Sequence, residues 1–155
     1  MVNYVKKCAA LLAMALVACA GNPAASGAQF SDVLNKEWRL TEVQTTPAID
    51  FDRDKLVKEG FGDIFVLRFD GERVSGVGAP NRFTAPYTQD GKQDLSIKPA
   101  ASTLMAPIRE PEKLKEHDYF TYLQNTATWE LAGGKLRLHT KGADGTDAIL
   151  VFIEK

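Results

Sequence analysis

The amino-acid sequence predicts an α+β domain, a mostly antiparallel sheet covered by one main helix at about residues 111–125. Three observations lead there. Short runs are rich in apolar residues, several with period-two alternation; glycine-containing turns join them in pairs; and one later segment places apolar residues at i, i+3, i+4 spacing after a proline.

Taken in order, Trp38-Arg39-Leu40-Thr41-Glu42-Val43 alternates as a half-buried strand does. A loop follows, then a short helix around Asp52 to Glu59 that Gly60 stops. "IFVLRF" (64–69) and "ERVSGVG" (72–78) flank Asp70-Gly71, a dipeptide suited to a two-residue type I′ hairpin turn. Arg82 to Thr88 and Asp94 to Lys98 are two further strands, joined by a turn over 89–92. Thr128 to Ala132 and Lys135 to Thr140 flank Gly133-Gly134 in a second hairpin, and Ala148 to Ile153, apolar on both faces, is expected to lie deep. The helix begins at Pro111, whose missing N–H costs nothing in a first turn, with Glu112 complementing the dipole. Tyr119, Tyr122 and Leu123, with Phe120 beside them, form a stripe that packs on the sheet, while Leu114 falls off it.

The first residues carry a different signal. Lys6 and Lys7 precede an apolar run from Cys8 to Val17, about ten residues against the roughly 20 that a bilayer-spanning helix needs, which reads as a secretory signal. Its end, Leu16-Val17-Ala18-Cys19, resembles a bacterial lipoprotein signal, in which Cys19 becomes the lipidated first residue of the mature chain. Each buried methylene of such a lipid contributes about 0.8 kcal/mol, so two or three acyl chains hold durably and the protein is anchored rather than spanning. Ala20 in place of an aspartate resembles an outer-membrane address. The expected organisation is a signal peptide at 1–19, a flexible tether "AGNPAASGAQ" at 20–29 and one domain at 30–155.

Composition and motifs then exclude function classes. Cys8 leaves with the signal and Cys19 is consumed by lipid, so the domain holds no thiol. Removing Lys6 and Lys7 from 19 basic residues leaves 17 against 20 acidic, a net charge of −3 with no basic stripe for a nucleic acid. Asp50-Phe51-Asp52-Arg53-Asp54 has the opening rhythm of a calcium loop, but Lys55 and Phe61 stand where glycine and glutamate are required. His117, expected on an exposed helix face, and His139, expected near a strand end, each lack a second ligand at metal spacing. Ser75, Ser96 and Ser102 lie outside any nucleophile elbow. Without a nucleophile or base beside an orienting partner, the expectation is no enzyme, no cofactor and no metal. Trp38 and Trp129 read as core residues.

The stretch "GAPNRF" introduces Asn81-Arg82-Phe83 after a glycine-containing strand; about twenty residues on comes Thr103-Leu104-Met105-Ala106, then an acidic-rich helix ending in an aromatic-and-leucine run, then a tryptophan-containing hairpin and "KLRL". In that order the pieces resemble the META, or HslJ-like, domain family over Trp38 to Phe152. The resemblance implies a curved sheet or half-open β-barrel, and it marks Asn81, Arg82, Phe83, Thr103 and Met105 as signature residues. Asn81 and Arg82 either bind a ligand or, the reading adopted, close the junction through backbone hydrogen bonds.

Two functions from different classes follow from address and likeness. One is a non-catalytic, lipid-anchored envelope lipoprotein that binds another envelope protein or supports envelope integrity under stress; bacterial members of the family are associated with heat response and tolerance of a hydrophobic antibiotic. The other is a carrier or sensor of a lipid or small hydrophobic molecule, by analogy with a half-open barrel that holds acyl chains in a lipoprotein pilot of secretion pores. A small barrel filled by its own side chains favours the first, and Phe65, Leu67, Phe69, Trp129, Leu136, Leu138 and Phe152 are the inward candidates.

Family members often carry a cysteine directly before that asparagine and another after the Met-Ala pair, where this chain has Pro80 and Pro107. The resemblance thus implies that the two segments meet. Replacing Pro80 and Pro107 by cysteines is expected to yield a bridge closing a loop of about 28 residues and adding about 3.6 kcal/mol; failure of the pair to oxidise, or a Cα separation well beyond about 7 Å, would sink the inferred proximity.

Overall fold

The computed structural model describes residues 27–155; the signal peptide, Cys8, Cys19 and most of the tether lie outside the described residues. A 3-10 turn (Phe30–Asp32) leads into nine strands and two helices: β1 (Trp38–Thr45), α1 (Arg53–Lys58), β2 (Val66–Phe69), β3 (Arg73–Val77), β4 (Arg82–Thr88), β5 (Ser96–Ile97), β6 (Ala101–Ser102), α2 (Glu116–Gln124), β7 (Thr128–Ala132), β8 (Lys135–Lys141) and β9 (Asp147–Glu154). All strand pairs are antiparallel, in the order β5-β4-β3-β2-β1-β9-β8-β7, with β6 beside β4. The sheet curls until its ends approach: Asp94 bridges to Thr128, Leu95 N–H donates to the Ala127 carbonyl at 3.0 Å, and Trp129 N–H donates to Gln93 at 2.9 Å. The result is a nearly closed barrel, and α2, which contacts β5 and β8, covers its seam.

The first strand shows how sequence parity becomes shape. Its apolar residues sit at 38, 40 and 43, so strict alternation would turn Val43 outward. A bulge between Leu40 and Glu42 absorbs the odd residue, Thr41, whose hydroxyl donates to the Val151 carbonyl at 3.1 Å, and Trp38, Leu40 and Val43 are all buried. In β8 the alternation is unbroken, with Leu136, Leu138 and Thr140 inward. β9 is buried at Ala148, Leu150, Val151 and Phe152, but Ile153, near the strand end, is 38% exposed, so the expectation that the whole run lies deep holds only in part.

Three expectations are corrected in detail. The strand expected from Ile64 begins at Val66, because Phe65 takes a left-handed φ of 54°; its ring is fully buried against Phe51 and Tyr119, which offsets a strain of about 1–2 kcal/mol. The first hairpin turns on Gly71-Glu72 rather than Asp70-Gly71, and neither residue has positive φ, so it is not type I′: the Asp70 carboxylate accepts from the N–H groups of Glu72 (2.8 Å) and Arg73 (2.6 Å) and shapes the turn itself. Those bonds hold the Asp70 carboxyl below its usual pKa. The main helix starts at Glu116, not Pro111. Pro111 and Leu114 are buried in an irregular segment beside Leu56 of α1, which explains why Leu114 lies off the helical stripe. The Gly133-Gly134 turn does have both φ values positive, 59° and 74°.

The interior is aromatic at both ends. Phe30, Phe69, Tyr87 and Trp129 form one cluster with ring centroids 5.0–5.5 Å apart. Phe65, Phe83, Tyr119 and Phe120 form another under α2, each pair worth about 0.5–1.5 kcal/mol beyond its burial. Trp38 anchors the segment that follows the 3-10 turn through Nε1, which donates to the Val33 carbonyl at 2.9 Å. The Tyr119 hydroxyl is buried with no hydrogen-bond partner among the described residues, and burial pushes its pKa far above the ordinary value, partly countered by the Arg53 cation. A raised folded-state pKa means a stability contribution fully present below about pH 10 and lost as the pH rises further. Tyr119→Phe is therefore expected to stabilise by about 1 kcal/mol at neutral pH and by more above pH 10, read from urea midpoints at both; a destabilised variant would show that the hydroxyl has a partner.

Candidate functional site

Between β3 and β4 the chain passes through Gly78-Ala79-Pro80-Asn81, and the Asn81 side chain, 6% exposed, is the centre of the junction. Its Oδ1 accepts from the Thr103 hydroxyl and from Met105 N–H, both at 2.7 Å. Its Nδ2 donates to Glu116 Oε2 at 2.6 Å and to the Met105 carbonyl at 3.2 Å. All four bonds an amide can make are thereby made. Glu116 Oε1 accepts the N–H groups of Ala79 (2.6 Å) and Asn81 (2.7 Å), so one carboxylate satisfies a turn that has no strand partner. As the first residue of α2, Glu116 also places its charge at the positive end of the helix dipole.

Close approach at this point demands a glycine. A Cβ on Gly78 would stand 2.5 Å from Glu116 Oε1 and 2.9 Å from Phe120 Cζ, so a side chain would displace the Glu116 carboxylate and the Phe120 ring. The edge segment is tied on by Arg82 N–H donating to Thr103 Oγ1 (3.2 Å) and Thr103 N–H donating to the Arg82 carbonyl (3.0 Å). The structure thus gathers Asn81, Thr103 and Met105 into one network. Met105 is held by its backbone alone, its side chain lying out with Leu104 and Ile108 on an exposed segment. Phe83 points inward against Phe120, and Arg82 points outward, its side chain engaged in none of these bonds. Glu116 is the member that carries no sequence signature. A helix start at Pro111 places it mid-helix, and only the true start at 116 aims it at the turn.

The other candidates stay apart. Asp52 caps α1, its Oδ1 accepting from Lys55 N–H at 3.0 Å. His117 is exposed on α2, and His139 lies in β8 two residues from the strand's end, its Nε2 3.8 Å from Glu130. Among the described residues no group of three or more histidine, cysteine, aspartate or glutamate side chains could hold a metal ion. Ser75, Ser96 and Ser102 lie in β3, β5 and β6. Trp38 and Trp129 are buried in the core. Arg53 donates to the carbonyls of Ile64 (2.8 Å) and Gly62 (3.0 Å), and burial together with the Arg39 cation lowers its pKa to about 10.

The META domain family matches residues 31–151. The chain belongs to the META domain family. An NMR structure of a protein from Burkholderia xenovorans is similar in fold, with a TM-score of 0.56 at 17% sequence identity, covering 99% of this chain and 99% of that one. No curated protein matches. In this META domain the signature Asn-Arg-Phe is therefore three residues with three environments: an amide inside the junction, a guanidinium outside the sheet, and a ring in the core.

Asn81→Ala is expected to cost about 3 kcal/mol, because it strands part of the Glu116 carboxylate and the Met105 and Thr103 groups, whereas Arg82→Ala is expected to stay within about 0.5 kcal/mol. Chemical denaturation of both variants checks this; equal losses would refute the division of roles.

Proposed function

We propose that this META-domain chain is a lipid-anchored, non-catalytic lipoprotein of the bacterial cell envelope, attached through Cys19, with an outer-membrane address, and acting by binding another envelope protein. The filling of the barrel carries the choice of binding protein over lipid carrier. Trp38, Leu40, Phe65, Leu67, Phe69, Leu136, Leu138 and Phe152 are each at most 1% exposed. A carrier needs an apolar cavity of several hundred Å³ where these side chains stand. The crevice beside α1, at about 20 Å³, has room for about one water molecule and is far short of that volume.

One further feature supports the reading. Leu104 (98% exposed) and Ile108 project from a segment whose backbone is pinned at Thr103 and Met105, the arrangement of a recognition loop on a rigid frame.

Labelling with a fatty-acid analogue in a lipoprotein-processing bacterium tests the anchor, and is expected to mark the wild-type chain and not Cys19→Ser. Native mass spectrometry of the Cys19→Ser protein, purified without detergent, tests the binding class. A bare protein mass is the expected result, and a lipid mass that leaves on denaturation would overturn it in favour of the carrier.

A further inference from the structure

The outer face of the sheet carries a groove of about 650 Å³ over β2, β3 and β4. The strand register sets Val66, Val77 and Arg82 side by side in one row, and Arg68 and Ser75 in the next. Two acids and three cations line it, and they are not evenly matched. Glu37 and Asp63 both lie against Lys155, at 2.6 and 3.7 Å from its Nζ. Arg82 bonds only through its backbone, and Arg68 reaches only the neutral Asn35 Oδ1 at 3.4 Å. Neither guanidinium therefore makes an ion pair among the described residues, although Arg68 lies within electrostatic reach of the Asp70 carboxylate, and both stand beside Val77 and the buried Val66.

We propose that this groove receives an extended, acidic segment of a protein partner, whose carboxylates pair with Arg68 and Arg82 while an apolar side chain on the same face of the segment rests on Val77. Guanidinium forks match carboxylates in a bidentate geometry. An extended segment presents successive side chains to opposite sides at about 6.6–6.8 Å repeats, which suits a surface built from strand rows. The groove lies open along the sheet, whereas a small-molecule pocket encloses most of its ligand. Glu37 and Asp63 at its far end oppose a uniformly anionic surface such as a nucleic acid or an acidic bilayer. The inference rests on the protein-binding reading above and specifies its face and its partner's chemistry.

The test has two arms. In NMR titration of the Cys19→Ser protein, a capped extended peptide of the pattern Asp-Ser-Leu-Ser-Asp, which puts its aspartates and leucine on one face, is expected to shift the amides of Val66, Ser75 and Val77. The asparagine–leucine counterpart is expected to leave them in place. The double variant Arg68→Gln/Arg82→Gln, checked for fold by its own spectrum, is expected to bind the acidic peptide at least about tenfold more weakly, and added salt to weaken the wild type. Equal binding of both peptides, unchanged binding by the double variant, shifts confined elsewhere, or no shift at millimolar peptide would each overturn the groove. In cells, a photo-cross-linker at Ser75 is compared with one at Leu104. Protein adducts at Leu104 with none at Ser75 would overturn the groove and leave the protein-binding reading standing; lipid adducts alone, or none at either position, would overturn both; a protein adduct at Ser75 that the arginine double variant abolishes is the expected result.

Discussion

One buried hydrogen bond, between the Asn81 amide and the Glu116 carboxylate, governs where the helix sits. The barrel is closed by backbone bonds at the end carrying Asp94 and Thr128, but nothing of that kind joins β6 to β7, so the seam is covered by α2. Packing alone would leave that helix free to slide along an apolar surface, because burial is non-directional. The carboxylate removes that freedom by accepting three N–H groups from the 79–81 turn, and the asparagine passes the constraint on to residues 103–105. Turn, edge segment and helix start are thereby one unit, and Gly78 is the space that lets them meet.

The two faces of the same strands divide the labour. Inward positions of β2 and β4 supply Leu67, Phe69, Phe83 and Ala85 to a core without room for a ligand, while outward positions carry Arg68, Arg82 and Thr84. The interior therefore contributes stability, and in the proposed reading recognition falls to the outside. Lys155 engages Glu37 and Asp63, so neither of these acids is paired with Arg68 or Arg82.

Legibility tracked how local the determining physics was. Gly133-Gly134, the alternation of β8 and Gly60 as a stop are decided within a few residues, and each is found where its pattern places it. The family resemblance identified Asn81, Thr103 and Met105, and the curved sheet that holds them. What escaped was set by distant partners. Phe65 leaves the strand because its ring is wanted in the core, Pro111 and Leu114 pack on α1 instead of extending α2, and Glu116 has meaning only once the turn at 79–81 is beside it. The groove was equally invisible, since Arg68, Arg82 and Lys155 come together only through strand register and the return of β9 to β1.

That return has a temporal consequence. β1 is flanked by β2 and by β9, the last strand in the chain, so Trp38 pairs with Glu154 and Leu40 with Phe152 across more than a hundred residues. A chain emerging during synthesis can form its local hairpins early, yet β1 keeps one open edge until β9 has been made. Pairings of such long sequence separation are slow to form and late to be rewarded. Closure of this sheet therefore waits on the meeting of β1 and β9, two strands from opposite ends of the described residues.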